Sequence, residues 1–265
     1  MRTSARRDGS HYILNGSKQF ISNGDEAGLG VVFAVTDKAA GRKGFSLFIV
    51  DTSQPGYHVA RVEHKLGQRS AHLAQIQLDD CRVPVENRVG EEGSGYKRIM
   101  GQLSEGRVAI AALAVGVARA ALEAAVKYAK ERGAYGAPII QLQGVNFDLA
   151  EMAIKVDVAR QYYRHAARLC HAGIPCAKEA SIAKLFASEI AESVCSDALQ
   201  IHGGYGYLND FPVERYYQDA RVTKIYEGTS HIQKMIIAKT LMETSALIVP
   251  AILDVAVAVK AMIRA

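Results

Sequence analysis

The chain has 265 residues, enough for one large domain or two ordinary ones. Hydrophobic residues make up 49% and charged residues 22%, which excludes a disordered, collagenous or disulfide-scaffold protein. The net charge of +5 is scattered along the chain, so no basic stripe for nucleic acid is expected.

The N-terminal residues, with Arg2, Arg6 and Arg7, lead into no apolar run, so no secretory signal is expected. From there to about residue 92, short β-type runs alternate with turn residues. His11–Leu14, then Asn15-Gly16, then Ser17–Ile21 reads as a hairpin, because Asn-Gly supplies the positive φ angles of a type I′ turn. Further strands are expected at 31–36, 45–50, 57–62 and 73–78, separated by turn signals at Asp25, Gly41 with Gly44, Pro55-Gly56 and Asp79-Asp80. This half reads as antiparallel β structure.

After about residue 93 the pattern becomes helical. The span from Tyr96 to Arg132 contains no proline and ends at Gly133 and Pro138. A second helix is expected from about Ile139 to His171, a third from about Ala177 to His202 and a last one near Thr229 or Ser230. Long striped helices on short loops argue for an antiparallel bundle. The stretch after Leu241 is almost wholly apolar, yet Pro250 and Asp254 interrupt it, so a packed or oligomer-contacting helix is expected there and no membrane span.

The cysteines, Cys81, Cys170, Cys176 and Cys195, form no CxxC pair, and no HExxH or HxxxH spacing occurs. No metal site and no disulfide framework are expected, and a reducing compartment fits best. Gly203-Gly204-Tyr205-Gly206 follows a helix, not a strand, so it reads as a helix stop and not as a dinucleotide loop. Glu227, at a loop-to-helix junction in apolar surroundings, reads either as a poised general base or as a solvated acid favoured by the helix dipole. Arg132 and Tyr135 read either as an anion-binding pair or as an exposed arginine beside a packed ring. Pro212–Arg215 and Asp219-Ala-Arg221 look like ion-pairing and helix-start elements.

The order of these motifs carries more than any one of them. Leu14–Gly24, Lys65-Leu-Gly-Gln-Arg69, Val83-Pro84, Leu103-Ser-Glu-Gly-Arg107 and Glu131–Gly136 come first. Gln143, Gln200–Gly206, Pro212–Arg215, Asp219–Arg221 and Ile225–Gln233 follow. In this order the chain resembles the acyl-CoA dehydrogenase family of flavoproteins, from Met1 to about Leu241.

The resemblance implies an α+β fold: a partial antiparallel β-domain (1–92), an antiparallel four-helix bundle (93–241) and an apolar tail (242–265). It implies FAD-dependent α,β-dehydrogenation of an acyl-CoA thioester, with electrons passed to an electron-transferring flavoprotein. Glu227 matches the base that removes the α proton. Gly106 stands where part of the family carries its base, and glycine cannot serve. Phe20 and Ser22 match residues against the isoalloxazine, and Thr229 and His231 match positions near the adenine end and pyrophosphate. Arg132, Tyr135, Gln143 and Gly204 match residues that reach the FAD of a neighbouring subunit, so a homo-oligomer, commonly a dimer of dimers, is implied.

Arg107 matches a residue near the CoA portion and Tyr226 one lining the acyl pocket. Ser104 replaces an aspartate found in several relatives, and the Glu105-Gly106-Arg107 run is most like short- or branched-chain members. The expected location is bacterial cytoplasm or mitochondrial matrix. Family members also carry an N-terminal helical domain and a first β-segment that have no counterpart in this sequence. On that ground the 265-residue chain by itself is expected to bind FAD weakly and to turn over poorly. Two further readings stay open: a non-catalytic oligomerising module of the same fold, told apart by a flavin spectrum, and an oxidase-like relative, told apart by peroxide formation.

Overall fold

The computed structural model describes residues 2–243, so the apolar tail from 244 onward lies outside the described residues. Six strands form one sheet: β1 (Ser4–Asp8), β2 (His11–Ser22), β3 (Leu29–Val35), β4 (Phe45–Asp51), β5 (Tyr57–Val62) and β6 (Leu73–Pro84). Their spatial order is β4-β3-β1-β2-β6-β5, antiparallel except for the short β1–β3 pairing. Tyr12, Leu14, Phe48, Val50, Ile76 and Leu78 fill the core on one face.

Two turn expectations are overturned here. Asn15-Gly16 is no hairpin turn: the hairpin closes at Gly9-Ser10, where Asp8 pairs with His11, and β2 runs straight through Asn15 and Gly16. Nor does Asp79-Asp80 end a strand, since β6 continues to Pro84. The two sites face each other and form one β-bulge. Asn15 Nδ2 donates to Asp80 Oδ1 and the Asp80 N–H donates to Asn15 Oδ1, both at 2.9 Å. Gly16 (φ +132°) is required because a Cβ there would stand 2.8 Å from Thr3 Cα. The extra residue shifts the phase of β6, whose buried positions run Ala74, Ile76, Leu78 and then Cys81, Val83. Polar, left-handed-tolerant residues serve a bulge as well as a turn, and β1 occupied the pairing edge that a tight hairpin needed.

The helices are α1 (Gly95–Glu131), α2 (Gln143–His171), α3 (Ala177–His202), α4 (Val213–Arg221) and α5 (Ser230–Glu243). Between α1 and α2 lies a two-residue ladder, β7 (Gly133–Ala134) and β8 (Ala137–Pro138), then a single 3₁₀ turn at Ile139–Gln141, so α2 begins slightly later than expected. Ala111, Ala114, Ala118, Ala121, Ala125 and Ala129 form a small-residue stripe on α1 that packs against Ala183, Ala187, Ala191 and Ala198 of α3. Among the described residues α1 is the one helix long and apolar enough to cross a membrane, and this buried stripe accounts for that composition. The short helix α4 was legible only as helix-start elements, because just Val213 and Ala220 of its nine residues are buried.

The cysteines depart from expectation. Cys170 and Cys176 are joined in a disulfide across the α2–α3 loop, Cα to Cα 5.8 Å. The Gly173-Ile174-Pro175 break folds the end of α2 back onto the start of α3, a proximity that a count of cysteines does not reveal. Cys81 and Cys195 are buried thiols, pushed up to about 11 and about 12 by burial.

Candidate active site

The loop Lys65–Arg69 joins the two halves. Gln68 (φ +47°) donates its backbone N–H to Asp219 Oδ1, and its side chain donates to the Asp219 carbonyl at 3.3 Å and the Tyr226 hydroxyl at 3.2 Å. Arg69 donates to Gln218 Oε1 at 2.9 Å. Lys65 ties the loop from within, donating to the Gln68 carbonyl at 2.6 Å and to the Ala71 carbonyl. A β-half loop thus grips the end of α4 and the segment that follows it, which carries Tyr226 and Glu227.

Glu227 sits in a left-handed turn, φ +53°, followed by Gly228 at φ +91°. A non-glycine residue there is uncommon and is strain held by its surroundings. Its carboxylate is exposed and lies over Gly106 of α1, where an added Cβ would stand 2.7 Å from Glu227 Oε2. Three side chains crowd beneath. Gln233 donates to the carbonyls of Glu227 at 3.1 Å and Gly228 at 2.9 Å, and Lys184 of α3 donates to the Gly228 carbonyl at 2.7 Å. Arg107 is 7% exposed and its buried Nε has no hydrogen-bond partner. The Glu227 backbone N–H makes no hydrogen bond to any described residue.

Two cavities reach this segment, one at Glu227 and the other at Tyr226. One, of about 780 Å³, is lined by Val31, Phe33, Ile99, Leu103, Gly106 and Glu227, with Arg98 and Glu105 as charged members. The other, of about 560 Å³, contains Phe20, Ser22, His64, Gln68, Ile225 and Tyr226. Consecutive residues, Tyr226 and Glu227, therefore face different cavities. Phe20 lies within a register shift of β2, between Lys18 and Ile21, has φ +61° and is 69% exposed. The irregular strand re-aims this aromatic ring into the cavity, where its face is open to stacking. Burial raises the Tyr226 phenol above its ordinary value, with the Gln68 hydrogen bond opposing.

Thr229 and His231 stand at the start of α5, both exposed, where free N–H groups and the helix dipole favour an anion. Arg132, Tyr135, Gln143 and Gly204 line neither cavity. They lie at the α1–α2 connection and just after α3. Tyr135 is 95% exposed at φ +53°, so it is not a packed ring, and the Arg132 guanidinium lies 5.7 Å above the Tyr205 ring, next to Gly204. As a metal-type donor set, Asp25, Glu26 and His72 come together, with His72 Nδ1 2.6 Å from Asp25 Oδ2.

Lys184 and Gln233 were not singled out in the sequence. Lys184 falls four residues after Ala180 and three before Ala187, in phase with the buried stripe of α3, and that phase was the available signal. Gln233 lay inside a quoted motif with nothing to mark its role. Burial holds the Lys184 ammonium down to about 8, with Arg107 lowering it further and Glu227 opposing. Below pH 8 folded and unfolded chains both carry this proton and the burial cost is present in full. Between about 8 and 10.5 the unfolded chain binds the extra proton, so stability rises with pH. Lys18 is held down to about 8 as well, so the comparison that isolates Lys184 is with a Lys184→Met variant. The stability of the unmutated chain relative to that variant should rise by up to about 3 kcal/mol across this window, read by urea unfolding at its two ends. Parallel pH curves would count against it.

Comparison with known proteins decides the family. The model of the acyl-CoA dehydrogenase C-terminal domain matches residues 93–242, and that of the acyl-CoA dehydrogenase middle domain matches residues 1–81. The chain belongs to the acyl-CoA dehydrogenase family. It is 48% identical over 242 residues to an acyl-CoA dehydrogenase of Bacillus subtilis, covering 91% of this chain and 64% of that one. Among solved structures it is similar to butyryl-CoA dehydrogenase from Megasphaera elsdenii, with TM-score 0.89 and 41% identity, over 91% of this chain and 63% of that one. It is also similar to a chain in a structure described as the electron transferring flavoprotein of Acidaminococcus fermentans, with TM-score 0.90 and 45% identity, over 92% and 64%. The chain thus spans less than two thirds of the length of these acyl-CoA dehydrogenase relatives. The α+β architecture expected from the resemblance is the one observed.

Proposed function

We propose that this chain carries the base and a set of flavin-facing residues of an FAD-dependent dehydrogenase that oxidises a short-chain acyl-CoA thioester across its α and β carbons. The observation that carries the reading is the Glu227 turn: an exposed carboxylate on a left-handed backbone, lining the cavity beside Gly106, with the carbonyls of Glu227 and Gly228 tied down and the Glu227 N–H unbonded among the described residues. Glu227 takes the α proton on a carboxylate oxygen. Its free N–H lies in the same residue, available to the thioester carbonyl where negative charge develops. Bound FAD supplies the acceptor for the β hydrogen, which leaves as hydride. Phe20 and Ser22 would hold the isoalloxazine, Thr229 and His231 would serve the adenine end and pyrophosphate, and Tyr226, in the cavity of Phe20 and Ser22, would meet the acyl chain. Arg107, buried with an unsatisfied Nε, is suited to a polar group of the substrate near the CoA portion.

Arg132, Tyr135, Gln143 and Gly204 are exposed and away from these cavities, which supports a role on the FAD of a neighbouring subunit in a dimer of dimers. The likeness to a chain in the electron transferring flavoprotein structure supports that flavoprotein as electron acceptor. The test is anaerobic mixing of flavin-loaded protein with butyryl-CoA. Bleaching of the flavin is expected, and an unbleached spectrum at saturating thioester would sink the reading. Peroxide in air as the main product would instead assign an oxidase. A Phe20→Ala variant should bind FAD about 3- to 10-fold more weakly, the loss of one ring contact of about 0.5–1.5 kcal/mol, as read by flavin fluorescence titration. Unchanged affinity would remove Phe20 from the flavin wall.

A further inference from the structure

Lys184 has no place in the roles described above, yet its side chain is 0% exposed. A buried ammonium is costly unless it gains something specific. Its neighbours on α3 are small, with Ala180, Ser181, Ala187 and Ser188 all buried, and its hydrogen bond goes to a main-chain carbonyl, not a carboxylate. That carbonyl belongs to Gly228, the residue after Glu227. The charged groups facing Lys184 are Arg107 from α1 and Glu227 from the turn. A lysine kept for stability alone would more commonly find a buried acid or reach solvent.

We propose that Lys184 is a positioning residue: reaching from α3, it fixes the Gly228 carbonyl and so holds the left-handed turn that aims the Glu227 carboxylate over Gly106. The inference rests on the reading of Glu227 as the base, and it deepens that reading. The turn needs such a hold. Glu227 holds a left-handed φ that is costly for a residue with a Cβ, and it is followed by Gly228, which reaches positive φ freely and so leaves the turn with little stiffness of its own. Gln233 ties both carbonyls from α5, on the C-terminal side in sequence, whereas Lys184 ties one from the bundle core. Together they connect the turn to two separate helices, so it cannot rotate with either one alone. A Cβ on Gly228 would meet Gln233 Nε2 at 2.7 Å, which shows how closely the clamp fits.

The test compares Lys184→Met, which removes the donor at similar volume, with Lys184→Gln, which keeps a shorter one. Two quantities are read on the full chain. The first is amide hydrogen exchange in the peptide 225–231 against the α1 core peptide 114–125, without ligand. The second is exchange of the α hydrogen of butyryl-CoA with solvent deuterium in flavin-loaded protein. A positioning role predicts that Lys184→Met speeds exchange at 225–231 by about tenfold or more while 114–125 changes less than about twofold. It also predicts that α-hydrogen exchange slows about tenfold or more with thioester affinity within about threefold, because a small misplacement of a catalytic group is costly in rate. Lys184→Gln should recover part of both.

Unchanged protection at 225–231 in a folded variant would overturn the proposal. So would a loss of protection spread equally over both peptides, or failure of both variants to fold, either of which makes Lys184 a scaffold residue. If only the Met variant fails to fold, the Gln variant decides by the same local criterion. If the unmutated protein shows no α-hydrogen exchange that depends on Glu227, the functional reading fails, and the amide exchange result still decides whether Lys184 holds the turn.

Discussion

Replacing Glu227 by glutamine is expected to slow flavin reduction by acyl-CoA about a thousandfold, within the range that a general base contributes. The substitution removes the basic oxygen and retains size and hydrogen bonding. The fold should survive it. The Glu227 side chain is exposed, and the turn is held through its main-chain carbonyls by Gln233 and Lys184, which do not contact the carboxylate by hydrogen bond. Exposed substitutions of this kind change stability by about 0.5 kcal/mol or less. Rapid-mixing absorbance and thermal unfolding together check both halves of the expectation. Undiminished bleaching in Glu227→Gln would remove it as the base. No second carboxylate takes its place at the α1 position used by part of the family, since Gly106 stands there, and an added Cβ would push into Glu227 Oε2.

The second large effect concerns Gly67. A Cβ there would lie 2.4 Å from the Gln218 carbonyl oxygen, 2.5 Å from its carbon and 2.8 Å from the Asp219 nitrogen. All three are backbone atoms of α4, which cannot swing aside as a side chain can. The φ of Gly67 lies outside the left-handed region, so the constraint is contact and not chain conformation. Gly67→Ala should therefore lift the Lys65–Arg69 loop off α4, breaking the Gln68 bonds to Asp219 and Tyr226 and the Arg69 bond to Gln218. Overpacking of this kind costs about 1–3 kcal/mol. Flavin affinity should fall with it, because Lys65, Leu66 and Gln68 of this loop line the cavity that contains Phe20 and Ser22. Gly116→Ala in α1 is the control: nothing lies within 4 Å of the added Cβ, and helix propensity should leave stability unchanged or raised by up to about 1 kcal/mol. A Gly67→Ala urea midpoint equal to that of the unmutated chain would show that the two halves dock elsewhere.

Three of the expected site residues, Phe20, Tyr135 and Glu227, turned out to be non-glycine residues at positive φ. Strain of this sort persists where surrounding structure over-determines it, and it concentrates at functional sites. It is invisible in composition or periodicity, because each residue type is ordinary and only its backbone is not. The long helices were legible for the opposite reason. The Ala stripes of α1 and α3 repeat at helical spacing over many turns, and each repeat adds to the same signal.

The sequence by itself determined the change from β to helical texture near residue 92, the breaks at Gly133 and Gly203, and the ordered motifs that place the chain in its family. These rest on local propensity and on short spacings, which neighbours in sequence decide. Only the tertiary structure decided that Asn15 and Asp79-Asp80 form one bulge across two strands, that Cys170 reaches Cys176, and that Gly67 packs on α4. It alone brought Lys184, Arg107, Gly106 and Gln233 under the Glu227 turn. Each of those facts is a meeting of residues distant in sequence or turned by an irregular backbone, and such meetings are set by how whole elements pack.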